Sequence, residues 1–256
     1  MSFNHVLKSE FYKLNRHKLL TVSMLFPLAI IIIVCVMMIL NYEAYSFAGY
    51  NMQRYYLFYV FALLSLIYVV YVVFMVYKTV QVDFHSNMHE VLQVQGISYI
   101  NFDLSKILVV TTYLFLSLLS AFVWVYASIY LMNFFMPNLL LLDYDIMQNV
   151  VFYFLKMFIV LHPIILFQFL LCKLSKNIFI VLGIPVFFVF FSFLIINHSD
   201  YTSYFLYNFT FNVKTDFEMG ITNFKRDYML SVIVYEIALI FLIYGYTKLR
   251  KVIKML

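Results

Sequence analysis

An all-α membrane protein with six transmembrane helices is the fold that the sequence predicts, and three observations carry the prediction. Of 256 residues, 65% are hydrophobic and 11% charged, whereas a soluble domain carries about 25% charged residues. The apolar residues gather in six runs of roughly 20, the length at which a helix rising 1.5 Å per residue crosses ~30 Å of hydrocarbon. Basic residues are unevenly placed: 12 lysines and arginines flank one side of the runs, 4 flank the other, and Lys156 falls within a run. The positive-inside rule then assigns both termini to the cytoplasm.

Residues 1–18 form the first element. Phe3, Leu7, Phe11 and Leu14 share one helical face, while Lys8, Lys13, Arg16 and Lys18 supply positive charge, so an interfacial helix with a basic side is predicted. Residues 19–40 follow without a charge. This run is too long for a cleaved signal peptide and reads as the first span, with Pro27 as a source of a kink. The second span covers 55–77, with Tyr55, Tyr56 and Tyr59 suited to the outer interface and Tyr77 to the inner one. The third covers 107–134, long enough to tilt. Spans four to six cover 150–172, 178–196 and 228–246. Residues 197–227 form the longest external loop. Its tyrosines and phenylalanines, among them Tyr201, Tyr207, Phe209 and Phe217, are too apolar to stay in water, so it is expected to return to the membrane surface as a short helix or lid.

The loop from Lys78 to Lys106 lies on the cytoplasmic side. Within it Phe84, Met88, Val91 and Leu92 recur at helical spacing while His85, His89, Glu90 and Gln93 project elsewhere. Residues 83–95 are therefore predicted to form an amphipathic helix along the membrane surface, with Asp83 as N-cap and Gly96 as stop. One greasy and one polar face beneath a helical bundle suit the docking of a soluble partner.

Several chemistries are excluded or disfavoured. No basic cluster sits on a soluble domain, so nucleic acid has no platform. His85 and His89 stand four apart, but the remaining histidines are scattered, and no metal site is expected. All seven aspartates lie in loops or at segment edges, unlike the paired intramembrane aspartates of a membrane protease. No phosphate-cradling glycine loop occurs, so any ATP, with its Mg, must be bound by another polypeptide. Cys35 and Cys172 read as packed thiols. Asn208-Phe-Thr210 is formally a glycosylation sequon, a weak three-residue match.

Two charges fall at membrane depth, where insertion costs about 2.5–3.5 kcal/mol or more. Glu236 reads either as a carboxylate in a substrate path or subunit interface, or as a buried group satisfied by a tyrosine hydroxyl or by Lys156 from a neighbouring span. Lys156, nearer the outer end, is expected to snorkel outward.

The opening Glu10-Phe11-Tyr12-Lys13-Leu14-Asn15-Arg16 resembles the E-F-x-K-x-x-R start of ABC-2 type permeases, the membrane subunits of bacterial ABC exporters. The central loop is similar to theirs as well: Asp83 after span two, the Glu90-Val91-Leu92 core, then the run from Ser98 to Ser105-Lys106 into span three. The break Gln95-Gly96-Ile97 lacks the proline frequent in that family. The small, aromatic-rich chain most resembles Gram-positive permeases for amphipathic peptides, including lantibiotic self-immunity transporters and the phenol-soluble modulin exporter.

The resemblance implies a bacterial cell-membrane permease that exports amphipathic or hydrophobic peptides, is not itself an enzyme, and pairs with a second permease chain, identical or sister. An elbow helix would carry Glu10, Phe11, Lys13 and Arg16. A coupling helix would present Asp83, Phe84, Met88, Glu90, Val91 and Leu92 to a cytoplasmic ABC ATPase. Glu236, Tyr59 and Tyr68 are the candidates for a translocation path or subunit interface. Export of a lipid, glycan or small antibiotic is the alternative within this class; a non-transporting immunity or anchor protein and an integral membrane enzyme are the alternatives outside it. An adjacent reading frame for a P-loop ATPase would separate the classes.

Overall fold

The computed structural model describes residues 3–16, 18–41, 52–85, 98–137, 147–175, 177–195, 203–224 and 227–253. Among these residues every regular element is a helix: α1 (Phe3–Arg16), α2 (Leu19–Leu40), α3 (Met52–His85), α4 (Tyr99–Phe135), α5 (Met147–Leu174), α6 (Ile178–Ile195), a 3-10 turn (Leu206–Asn208), α7 (Phe209–Glu218) and α8 (Asp227–Ile253). Five of them, α2, α3, α4, α5 and α8, are long and apolar enough to cross a membrane. α6 is apolar but shorter. The chain is thus an all-α, multi-pass membrane protein.

Long helices form because the apolar runs offer no competing side-chain hydrogen bonds, and hydrocarbon leaves the backbone no partner but itself. Pro27, Pro163 and Pro185 lie inside α2, α5 and α6 without ending them. α3 and α4 contain 34 and 37 residues, so they run about 50 Å and about 55 Å, well beyond a hydrocarbon core. Their excess lies where the sequence predicted loop. α4 begins at Tyr99 rather than at 107. α3 continues through Asp83 to His85, so Asp83 sits in the last turn of the long helix and does not cap a separate one. The rest of the expected coupling helix, including Met88, Glu90, Val91 and Leu92, lies outside the described residues, as do the side chains of Asp83, Phe84 and Arg16.

α3 is the central post, packed against α2, α4, α5, α6 and α7. Tyr56, Leu57, Val60, Phe61, Leu64, Tyr68, Val72 and Val76 along it are fully buried. α2 and α8 lie at the periphery and turn Ile32, Ile33, Leu230 and Phe241 outward, as lipid-facing helices do. α7 packs against α3 and α5, with Phe209, Val213 and Phe217 buried. It ends in a left-handed glycine, Gly220 (φ 68). There the amide of Ile221 donates to Asp216 O at 2.8 Å and that of Gly220 to Phe217 O at 3.1 Å, a helix stop that most side chains resist. Asn208 of the sequon is fully buried, so its side chain is closed to modification in this fold.

α1 turns into α2 at Lys18, whose φ is 55, and packs along the start of α4. Its buried face is Val6, Glu10 and Leu14, with Phe3, Leu7 and Phe11 half-buried beside it. The apolar stripe read from the sequence is therefore one flank of the contact, and a carboxylate stands at its centre.

Candidate functional site

The first turns of α4 join the connection from α3 to the rest of the bundle. Lys106, 3% exposed, reaches Glu10 Oε2 of α1 at 3.3 Å and donates to Thr79 O of α3 at 2.8 Å. Glu10, 1% exposed, holds Lys13 with its other oxygen at 2.6 Å. The ring of Phe102 lies 4.8 Å from the Lys106 ammonium and 5.6 Å from that of Lys13, and Phe11 meets Tyr113 edge-on at 6.0 Å. A lysine can be buried here because a carboxylate, a carbonyl and an aromatic face replace its water.

Three residues earlier, Asp103 pairs with Lys173 of α5 and accepts the Thr247 hydroxyl of α8 at 3.1 Å. The Phe169 ring lies 5.1 Å from Lys173, and the Tyr246 hydroxyl donates to Lys173 O at 3.1 Å. Asp103 and Lys106 are one turn apart on α4 and hold opposite sets of helices: α1 and α3 through Lys106, α5 and α8 through Asp103. Of the expected elbow residues, Glu10, Phe11 and Lys13 enter this cluster.

The mid-bundle is joined by hydroxyl pairs between helices. Tyr68 meets Ser117 at 3.1 Å, Tyr71 donates to Ser23 at 2.6 Å, and Tyr153 meets Ser65 at 3.0 Å. The ring of Phe61 stacks on Tyr153 at 3.8 Å. Tyr68 is thus a sealed core residue in this conformation. Tyr59 lies half-buried and bonds its neighbour Tyr55 at 2.7 Å.

At the opposite end Lys156 does not snorkel. It is 1% exposed and reaches Asp216 Oδ2 of α7 at 2.7 Å and Ile221 O at 2.9 Å. Tyr228, at the start of α8, donates to the same carboxylate at 2.5 Å. The clasp draws α7 down onto α5. Burial among Phe167, Phe188 and Phe205 pushes the Tyr207 phenol pKa up, since the phenolate would lose its water.

Glu236 finds neither Lys156 nor a tyrosine. Its Oε1 lies 2.9 Å from His162 Nδ1 of α5, with side-chain exposures of 32% and 25%. Lys106 stood out in the sequence only through the Ser-Lys run, while Asp103, Lys173, Asp216 and His162 carried no role. The available signal was charge at the edge of an apolar run, which marks a residue in need of a partner but not the partner. Among the described residues no group of three or more His, Cys, Asp or Glu is placed to hold a metal ion.

Comparison with protein-family models, with curated proteins and with solved structures returns no significant match.

Proposed function

We propose that this chain is the permease subunit of an ATP-driven ABC exporter whose cargo is an amphipathic or hydrophobic peptide. The observation that carries the reading is the paired anchoring of α4. The predicted docking segment emerges directly from α3 and re-enters at α4, and the first turns of α4 are ion-paired to α1 on one side and to α5 on the other. A push delivered between α3 and α4 would therefore move helices on both sides of the bundle, as a machine powered by a separate ATPase requires.

In this reading α1 is the elbow helix, α6 is the sixth crossing, and both termini are cytoplasmic in a bacterial cell membrane. ATP and Mg belong to the ATPase, and a second permease chain completes the path. The tightly packed core around Tyr68 favours one rival, a non-transporting immunity or anchor protein. A single experiment separates them. If an adjacent reading frame encodes a P-loop ATPase, the chain is purified with it and reconstituted, and ATP hydrolysis is measured with amphipathic peptides. Co-purification that is lost when Phe84, Met88 or Leu92 is made charged, together with peptide-stimulated hydrolysis, is the expected result. Hydrolysis indifferent to every peptide would leave the anchor reading in place.

A further inference from the structure

The His162–Glu236 pair differs from the buried lysine–carboxylate pairs of the bundle. Lys106–Glu10, Lys173–Asp103 and Lys156–Asp216 are all nearly closed to the outside, whereas a quarter to a third of the His162 and Glu236 side chains remains open. Glu236 lies eight residues after Tyr228 in the crossing segment Tyr228–Lys248, about 12 Å along the helix axis. His162 stands near the middle of α5. The pair therefore lies at mid-depth, in the groove where α5 and α8 pack.

Only one carboxylate oxygen is used. Oε1 faces His162 at 2.9 Å, and Oε2 carries no hydrogen bond among the described residues. The neighbouring outward side chains of α8, Ile233, Ile237, Ile240 and Phe241, offer no donor, and neither does lipid. Among the described residues no second donor reaches this half-open carboxylate, which leaves it open to one from another molecule.

The chemistry of that donor can be narrowed. A lone carboxylate beside one histidine is too poor in oxygen for a hard metal cation. An identical second chain has no lysine to offer at this depth, because Lys156 is buried and held by Asp216 and Ile221 O. An amphipathic peptide satisfies both needs: an ammonium or guanidinium for Oε2, and apolar side chains for the isoleucines and Phe241.

We propose that Glu236, with His162 as its resident partner, is a recognition site for a cationic side chain of an amphipathic peptide. The proposal rests on the exporter reading for the origin of the peptide, but not for its test.

The full chain in zwitterionic lipid nanodiscs is titrated with a fluorescent 18-residue leucine/lysine helix, with the same peptide acetylated on every lysine, and with a leucine/glutamate counterpart. Empty nanodiscs give the lipid background. Glu236→Gln is expected to weaken the lysine peptide about tenfold, the equivalent of one charge-assisted hydrogen bond, and to leave the acetylated peptide unchanged. Glu236→Asp keeps the charge preference. Equal binding of the lysine peptide by the wild type and Glu236→Gln overturns the proposal. So does a change of oligomeric state in Glu236→Gln with peptide binding intact, which would make Glu236 a contact between permease chains. Peptide-stimulated ATP hydrolysis by the reconstituted complex reports on export separately. If it is absent while binding remains charge-selective, the exporter reading fails and this site stands.

Discussion

Lys156 and Asp216 are each almost fully buried and 2.7 Å apart, so removing either charge strands the other in a dry site. Breaking such a pair costs about 3–5 kcal/mol, whereas replacing both partners with apolar groups of similar volume is often neutral or stabilising. We therefore expect Lys156→Met and Asp216→Leu each to lower the unfolding free energy of the detergent-solubilised chain by about 3 kcal/mol. The double variant should lie closer to the wild type than either single change. Additive losses in that double-mutant cycle would mean that the two residues do not act as a pair. Tyr228, which donates to the same carboxylate, accounts for any destabilisation that remains in the double variant. Glu236 belongs to another class, because its open side leaves a ligand within reach.

α1 and α4 form a unit held by one ion pair, and a charge exchange tests it. Glu10→Lys sets a positive group beside Lys13 and Lys106, and about 3 kcal/mol of stability should be lost. Lys106→Glu alone should cost a similar amount. Combining the two restores opposite charges across the contact and should recover part of the loss. Absence of recovery in thermal unfolding would show that apolar packing by Val6, Leu14 and Phe102, and not the ion pair, holds α1 in place. The apolar mid-sections of the long helices were legible in the sequence because hydropathy over some twenty residues is a local property. Their ends were not. Tyr99 to Lys106 looks polar in a window, yet its residues split into a buried set (Phe102, Asp103, Ser105, Lys106) and an exposed Ile100 and Leu104, a division made only by α1 and α5 lying alongside. The long segment between the fifth and sixth apolar runs likewise announced its apolar character but not that α7 would be seated against α3 and α5.

The end bearing α1 holds two of the buried lysine pairs and the opposite end holds the Lys156 clasp. The orientation drawn from lysine and arginine counts makes a direct prediction. Lys8 and Met219 are exposed, and cysteines placed there singly should react with a membrane-impermeant maleimide from different sides. Met219→Cys should label in intact cells, and Lys8→Cys only after the membrane is opened. Labelling of Lys8→Cys from outside would reverse the topology and place the proposed docking segment beyond the reach of a cytoplasmic ATPase. The native thiols give little background, since Cys172 is buried and Cys35 is half-buried against Tyr56.

The amino-acid order alone settled that this chain is a membrane protein of long helices, because runs such as Leu19–Leu40 have no other stable place to go and a helix in lipid satisfies its own backbone. It also marked Lys156 and Glu236 as groups needing compensation. Which groups compensate them, and Lys106, was decided by the three-dimensional packing: Glu10 lies 96 residues from Lys106, Asp216 lies 60 from Lys156, and Glu236 lies 74 from His162. Helices pack sideways, and the order of residues along one helix carries no record of which face meets which neighbour. The buried clasps, and the half-open carboxylate on which the peptide site rests, come from that lateral arrangement.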